Sequence, residues 1–234
     1  MHLFYTPDIE GMDYTLNAEE SKHCVRVLRL AEGEDVSLVD GRGNWFNGLV
    51  VLADPKGCRV KCHEKIENFG KRDFHLHVAI APTKNIDRIE WMLEKCTEMG
   101  IDEITLLHTT HSERKVVKEE RLEKVIVSAM KQSLKAYLPK LNPMTDFKSF
   151  VVSCQEEQKF IAHCNEGVKK RLDEAYRTGK DVVILIGPEG DFSAEEVELA
   201  ENAGFIPITL GQSRLRTETA GIVACHSIDF MNRV

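Results

Sequence analysis

Near its C-terminal end the chain reads RLRTETA, Arg214 to Ala220, with two arginines, a glutamate and two threonines in close succession. A guanidinium keeps its charge and presents a planar fork of N–H donors. It therefore suits phosphates, carboxylates and carbonyl oxygens that gain negative charge during a reaction. Glu218 adds a carboxylate that could accept a proton or orient a charged neighbour. The stretch lies between FIPITLG, which reads as a short buried strand, and GIVACHSIDFM, which reads as a mostly apolar helix. At a helix start, the dipole and free N–H groups favour the charged carboxylate. A carboxylate held in that form is a poor match for a weakly acidic proton, so the proton acceptor stays unassigned. Thr217 is a candidate helix cap, and Thr219 is a candidate for fixing the loop. A surface turn with an incidental Arg–Glu pair, the bland alternative, would be worth almost nothing energetically.

Two more loops place glycine where a strand should end: GPEG, Gly187 to Gly190, and Leu210-Gly211. Glycine lets the backbone approach a ligand closely and reach unusual φ values. Neither loop is a dinucleotide fingerprint or a phosphate loop, because G-x-G-x-x-G is absent and no G-K-[ST] follows. Taken alone, GPEG is equally a strand-to-helix turn stiffened by Pro188. Two neighbouring strand ends of this kind would wall a groove with backbone groups, suited to a nucleoside-like ligand.

The elements that must hold these loops fall into two halves. Residues 1–72 read as a small β-barrel: EDVSLVDG, NWFNGLVVLAD and CRVKCHEKI are short, rich in β-formers and divided by turn residues. One short helix starts at Asn17, a candidate N-cap, and runs to about Arg26. ENFGKRDF marks the boundary. From residue 73 to 234 strands alternate with helices, which predicts an α/β domain with a mainly parallel sheet. FHLHVAIA, IDEITLLH, KFIAHC, DVVILIG and FIPITLG are its strands. The spacing predicts helices over Asn85–Gly100 and Arg121–Leu138, one starting at Ser193, and a last one to about Asn232. Ser193 and Glu196 stand in capping-box spacing. Ligands of such sheets bind at the carboxyl ends of the strands, where the loaded loops lie.

The 234 residues include seven scattered cysteines, an odd count that favours a reducing cytoplasm. Strand alternation separates Cys58 and Cys62 from His63, and no second ligand pair exists, so no metal is expected. No apolar run is long enough to cross a membrane, and the start, MHLFYTPDIE, lacks a secretory pattern. The net charge of −7 argues against nucleic acid at first sight. Its distribution is uneven, however: His111–Lys140 carries eight basic and four acidic residues, and Ser21–Ala31 carries Lys22, Arg26 and Arg29 with no acid. Such patches fit either a polyanion-binding surface or ordinary solvated faces.

Together, ILIGPEGDFSAEE and GFIPITLGQSRLRTETAGIVA resemble the C-terminal signature of the SPOUT methyltransferases, more narrowly the bacterial 16S ribosomal RNA uridine N3-methyltransferases. APTKNIDRIEWMLEKCTEMGID, HSERKVVKEERLEKVIVSAMKQS, SKHCVRVLRL and DGRG extend the resemblance over most of the chain. It implies a PUA-like RNA-binding β domain, then a SPOUT domain with a deep trefoil knot. It also implies a homodimer that binds S-adenosylmethionine in the knot and acts on 16S rRNA of the small subunit, with no DNA or membrane partner. The cofactor residues so implied are Gly187, Glu189, Gly190, Leu210, Gly211, Leu215, Arg216 and Thr219, with His163 and Cys164 flanking more loosely. Arg216 would stabilise the charge that spreads onto the uridine carbonyls, Glu218 would assist catalysis or orient Arg216 or the cofactor's amino group, and Arg214 would meet an RNA phosphate. Lys22, His23, Arg26, Arg29 and Arg42 are the implied RNA contacts of the first domain. Lys84, Arg88, Arg114, Lys131 and Gln132 lie in the matching segments as candidates for RNA or partner contacts. The family's GPEGG stands here as GPEGD, with Asp191 in place of glycine. A different target, such as a transfer RNA ribose or another base, and a non-catalytic assembly factor are the rival readings.

Overall fold

Two residue periodicities, two in the first seventy residues and a mixture of two and 3.6 afterwards, are resolved by the fold into two units. The computed structural model describes residues 2–233. One unit comprises Met1–Lys71 with Met130–Leu138, the other Arg72–Ala129 with Pro139–Val234.

The first unit holds β1 (Leu3–Tyr5), β2 (Asp13–Thr15), α1 (Ala18–Lys22), β3 (Asp35–Val39), β4 (Trp45–Leu52) and β5 (Arg59–Ile66). The strands form one sheet in the order β1-β3-β4-β5-β2, antiparallel except for β1 beside β3. Alternation works as the sequence suggests: Cys58, Val60 and Cys62 are buried, and Arg59, Lys61 and His63 are exposed. Asn17 caps α1, its side chain accepting from the Glu20 N–H at 2.9 Å. The chain then widens into a π turn, His23–Val27.

The second unit holds β6 (Leu76–Ile80), α2 (Ile86–Met99), β7 (Glu103–His108), α3 (Glu119–Gln132, whose last three residues group with the first unit), β8 (Lys140–Asp146) and α4 (Phe147–Ser153). It continues with β9 (Gln158–Ala162), β10 (Lys170–Arg171), α5 (Leu172–Ala175), β11 (Val182–Ile186), α6 (Ala194–Asn202), β12 (Ile206–Thr209) and α7 (Thr217–Met231). Its sheet is parallel throughout, in the order β10-β12-β9-β11-β6-β7-β8. The central strands β6 and β11 are buried along their whole length, as expected when helices cover both faces. Ala79 and Ala81 face a cluster built with α4 and α6. On the opposite face, Ile80 meets α2 and α7 around Gly221, where a Cβ would come within 2.7 Å of the Met92 sulfur. Ser193 and Glu196 close the expected capping box at the start of α6.

Two expectations need correction. The helix predicted to reach Leu138 stops at Gln132, with Leu134 in the left-handed region at φ 55°. The reason is tertiary. The Gly43 N–H donates to the Ala136 carbonyl at 3.0 Å, and the Leu138 N–H donates to the Gly41 carbonyl at 2.9 Å. Any Cβ at Gly43 would lie 2.3 Å from the Tyr137 ring, so the DGRG turn needs glycine there. β8 was not anticipated either: KLNPMTD is a polar edge strand, and its pairing with β7 shifts register around Pro143. Edge position is where a strand tolerates proline.

Candidate active site

The ends of β9, β11 and β12 open into one cavity of about 330 Å³. Ala162–Cys164, Ile186–Glu189 and Ile208–Gly211 form its walls, Asp191, Ser213–Thr217 and Ala220 extend them, and Arg88 of α2 completes the lining. β12 lies beyond β9 in the sheet, whereas α7 packs against β6 and α2. The connecting segment, residues 210–216, therefore returns past the ends of β9 and β11 and places its arginines at the cavity.

The GPEGD wall is held from several directions. The Glu189 Oε1 accepts the Lys84 N–H at 3.0 Å. Asp191 sits in the left-handed region at φ 63°, which aspartate tolerates better than most residues. Its carboxylate accepts the Cys164 N–H at 2.7 Å and the Phe192 N–H at 2.9 Å, tying two strand-end loops together. The Asp191 side chain is thus a brace of the loop. The Asp191 carbonyl meets the His111 Nδ1 at 3.0 Å. Across the cavity, Gly211 stands at φ 148° with open space where a Cβ would be. Both ring nitrogens of His163 are buried, without a hydrogen-bond partner among the described residues. Burial, reinforced by Lys169, pushes the His163 pKa below the ordinary 6.5, so the ring is neutral near pH 7.

In RLRTETA the structure gives the residues distinct placements. Arg214 and Arg216 are exposed and line the cavity. Thr217 is not a cap. Arg216 is the N-cap residue and makes no side-chain cap bond, while the Thr217 hydroxyl donates to the Gly187 carbonyl at 3.0 Å and fastens α7 to the GPEGD loop. Glu218 is buried at 6% exposure and lies outside the cavity lining. Its Oε1 stands 3.8 Å from the Arg88 Nε, and its Oε2 has no hydrogen-bond partner among the described residues. Glu218 therefore pairs with Arg88 rather than Arg216.

Of the residues expected around a cofactor, Gly187, Glu189, Leu210, Gly211, Leu215 and Arg216 line the cavity. Gly190 and Thr219 do not; a Cβ at Gly190 would meet the His111 side chain at 2.9 Å. His163 and Cys164 are wall residues, and Arg88 joins them from a helix distant in sequence. Only its place in a family-matching segment hinted at Arg88. In the first unit, Lys22, Arg26 and Arg29 are exposed and carry no ion pair among the described residues. His23 is half-buried, its Nδ1 3.6 Å from Glu20. Arg42 is engaged, donating to the Pro7 carbonyl at 2.9 Å and lying 3.3 Å from Asp40.

Residues 71–229 match the model of the RNA methyltransferase domain, and residues 16–61 that of the RNA methyltransferase PUA domain. The ribosomal RNA small subunit methyltransferase E of Mesomycoplasma hyopneumoniae is 30% identical over 72% of this chain and 75% of its own length. This chain belongs to the ribosomal RNA small subunit methyltransferase E family. The crystal structure of a probable rRNA-methyltransferase from Porphyromonas gingivalis superposes with a TM-score of 0.94 at 44% identity, covering 100% of this chain and 99% of that one. The family member from Neisseria gonorrhoeae, solved bound to S-adenosyl methionine, superposes with a TM-score of 0.87 at 25% identity, covering 99% and 98%. The α/β architecture with a parallel sheet and a PUA-like β unit is thus shared with the Neisseria gonorrhoeae family member.

Proposed function

We propose that this protein uses S-adenosylmethionine to methylate N3 of a specific uridine in the 16S rRNA of the small ribosomal subunit. The observation that carries the reading is the arginine-lined, backbone-walled cavity at the ends of β9, β11 and β12. The cavity fits the cofactor chemically. Gly187, Leu210, Gly211 and Leu215 offer backbone groups and close approach, and the orphaned nitrogens of His163 are what a nucleoside ligand would satisfy. When bound, S-adenosylmethionine supplies an electrophilic methyl group on a sulfonium.

N3 of uridine must lose its imide proton, and negative charge then spreads onto the two ring carbonyl oxygens. Arg216 is the residue assigned to stabilise that charge, since a preorganised donor at developing charge is commonly the largest catalytic contribution. Arg214 is assigned to a neighbouring phosphate, with Lys22, Arg26 and Arg29 guiding RNA from the PUA-like unit, His23 supporting them and Arg42 bracing the turn. Glu218, buried behind the cavity wall, is given no proton-transfer role.

The C-terminal segment is read as a deep trefoil knot, supported by the return of residues 210–216 past β9 and β11. The protein is read as a homodimer, supported by exposed Trp91 and Phe230 on the mutually packed helices α2 and α7, and as cytoplasmic, supported by its free cysteines. The test is incubation with labelled S-adenosylmethionine and unmodified small subunits, followed by identification of the labelled nucleoside. Labelled 3-methyluridine is expected. A different labelled nucleoside would overturn the target, and absence of label with intact cofactor would overturn the activity.

A further inference from the structure

We infer that Glu218 is a positioning residue for Arg88, and that Arg88 grips an oxyanion at the cavity, either the α-carboxylate of the cofactor or a phosphodiester of the RNA. This rests on the proposed function. Three observations lead to it. First, a buried carboxylate is costly unless paired, yet one oxygen of Glu218 has no hydrogen-bond partner among the described residues and the other meets Arg88 only at 3.8 Å. Second, Arg88 has no competing anion among the described residues. Asp87 and Glu90 are taken by Arg121, Glu189 accepts from the Lys84 backbone, and Asp191 holds two backbone N–H groups. The Arg88 side chain is 39% exposed, reaches the cavity wall and makes no side-chain hydrogen bond among the described residues. Third, Arg88, Arg214 and Arg216 put three guanidiniums around one cavity whose own carboxylates are already engaged. Such a site is short of an anion.

The physical picture is a guanidinium held from behind by Glu218 with its remaining donors directed to the ligand. A planar fork gripped on one side and open on the other suits a two-oxygen anion. Glu218 acts through Arg88 and does not touch the reacting atoms.

The test compares Arg88→Ala, Arg88→Lys and Glu218→Gln with the wild-type chain, after melting curves confirm folding. Two probes are titrated by calorimetry: S-adenosylhomocysteine, and 5′-methylthioadenosine, which lacks the amino-acid part. RNA binding is followed against salt concentration. If the cofactor carboxylate is the anion, Arg88→Ala weakens S-adenosylhomocysteine at least tenfold and leaves 5′-methylthioadenosine within twofold. If an RNA phosphate is the anion, both small ligands are unchanged and the salt slope of RNA binding falls by about 0.7–0.9. Either way Glu218→Gln follows the same pattern at smaller amplitude, and Arg88→Lys restores part of the loss. The inference is overturned if Arg88→Ala changes neither reaction, or if Glu218→Gln weakens both small ligands alike. Should Glu218→Gln fail to fold, the two Arg88 variants still decide the anion-binding role. A wild-type chain that binds neither cofactor analogue nor RNA would sink the proposed function instead, and the inference with it.

Discussion

The two sides of the cavity are built on opposite plans. The GPEGD side spends its polar groups on the protein itself: Glu189, Asp191 and the Gly187 carbonyl are each engaged by a hydrogen bond from elsewhere in the chain. The RLRTETA side leaves its two arginines exposed and facing the cavity. A braced wall can hold a cofactor in one geometry at little ordering cost. Free guanidiniums can follow charge that appears only during reaction. The contrast teaches that rigidity and charge are supplied here by different loops.

Breaking the free side should have the largest effect. Arg216→Ala is expected to lower turnover by about a hundredfold or more while S-adenosylmethionine affinity stays within about tenfold, roughly 1.4 kcal/mol. Single-turnover methylation alongside calorimetry measures both. A collapse of cofactor affinity would mean that Arg216 belongs to the wall and that the contrast is false.

The next effect comes from loosening the braced side. Asp191→Gly removes the acceptor for two backbone N–H groups, and should weaken cofactor binding by about tenfold, on the order of 1–2 kcal/mol. Asp191→Ala should cost about 1 kcal/mol more in folding stability, because alanine is strained at φ 63°. Thermal unfolding of the two variants separates brace from strain.

A smaller effect sharpens the charge assignment. Arg214→Ala should leave cofactor affinity unchanged and reduce the salt slope of RNA binding by about 0.7–0.9, the signature of one lost phosphate contact. RNA affinity measured across a salt series reads it directly.

The smallest effect is a pH dependence of the wall. The His163 pKa is depressed in the folded chain, so its proton binds more weakly there than in the unfolded chain. Its contribution is complete above pH 6.5 and is lost as pH falls through the lower folded value. Folding stability should therefore be flat near pH 7 and decline on the acid side, and His163→Asn should flatten that decline in thermal unfolding. An acid decline unchanged in the variant would place the titrating group elsewhere.

Much of the second unit was legible because local signals agreed with tertiary packing. Asn85 and Gly100 bound α2, Ser193 and Glu196 start α6, and the apolar runs of β6 and β11 are central strands. β8 was illegible because an edge strand need bury little and can carry Pro143 and polar residues. The end of α3 was misjudged because the apolar stripe continues through Leu134 and Leu138. There the backbone of the DGRG turn competes for the same carbonyl and N–H groups and wins.

For the site, the chain alone determined which residue types stand at the strand ends, because glycine, proline and charged side chains at a strand-to-helix turn have few other uses. It could not determine partners. Glu218 is two residues from Arg216 in sequence and pairs with Arg88, more than a hundred positions away. Asp191 proves to be a brace only because folding brings the Cys164 backbone within 2.7 Å of its carboxylate. Charge and backbone freedom are properties of a residue, readable in one dimension. Who neutralises a charge, and which hydrogen bond closes a loop, depends on distances that exist only once the sheet is assembled.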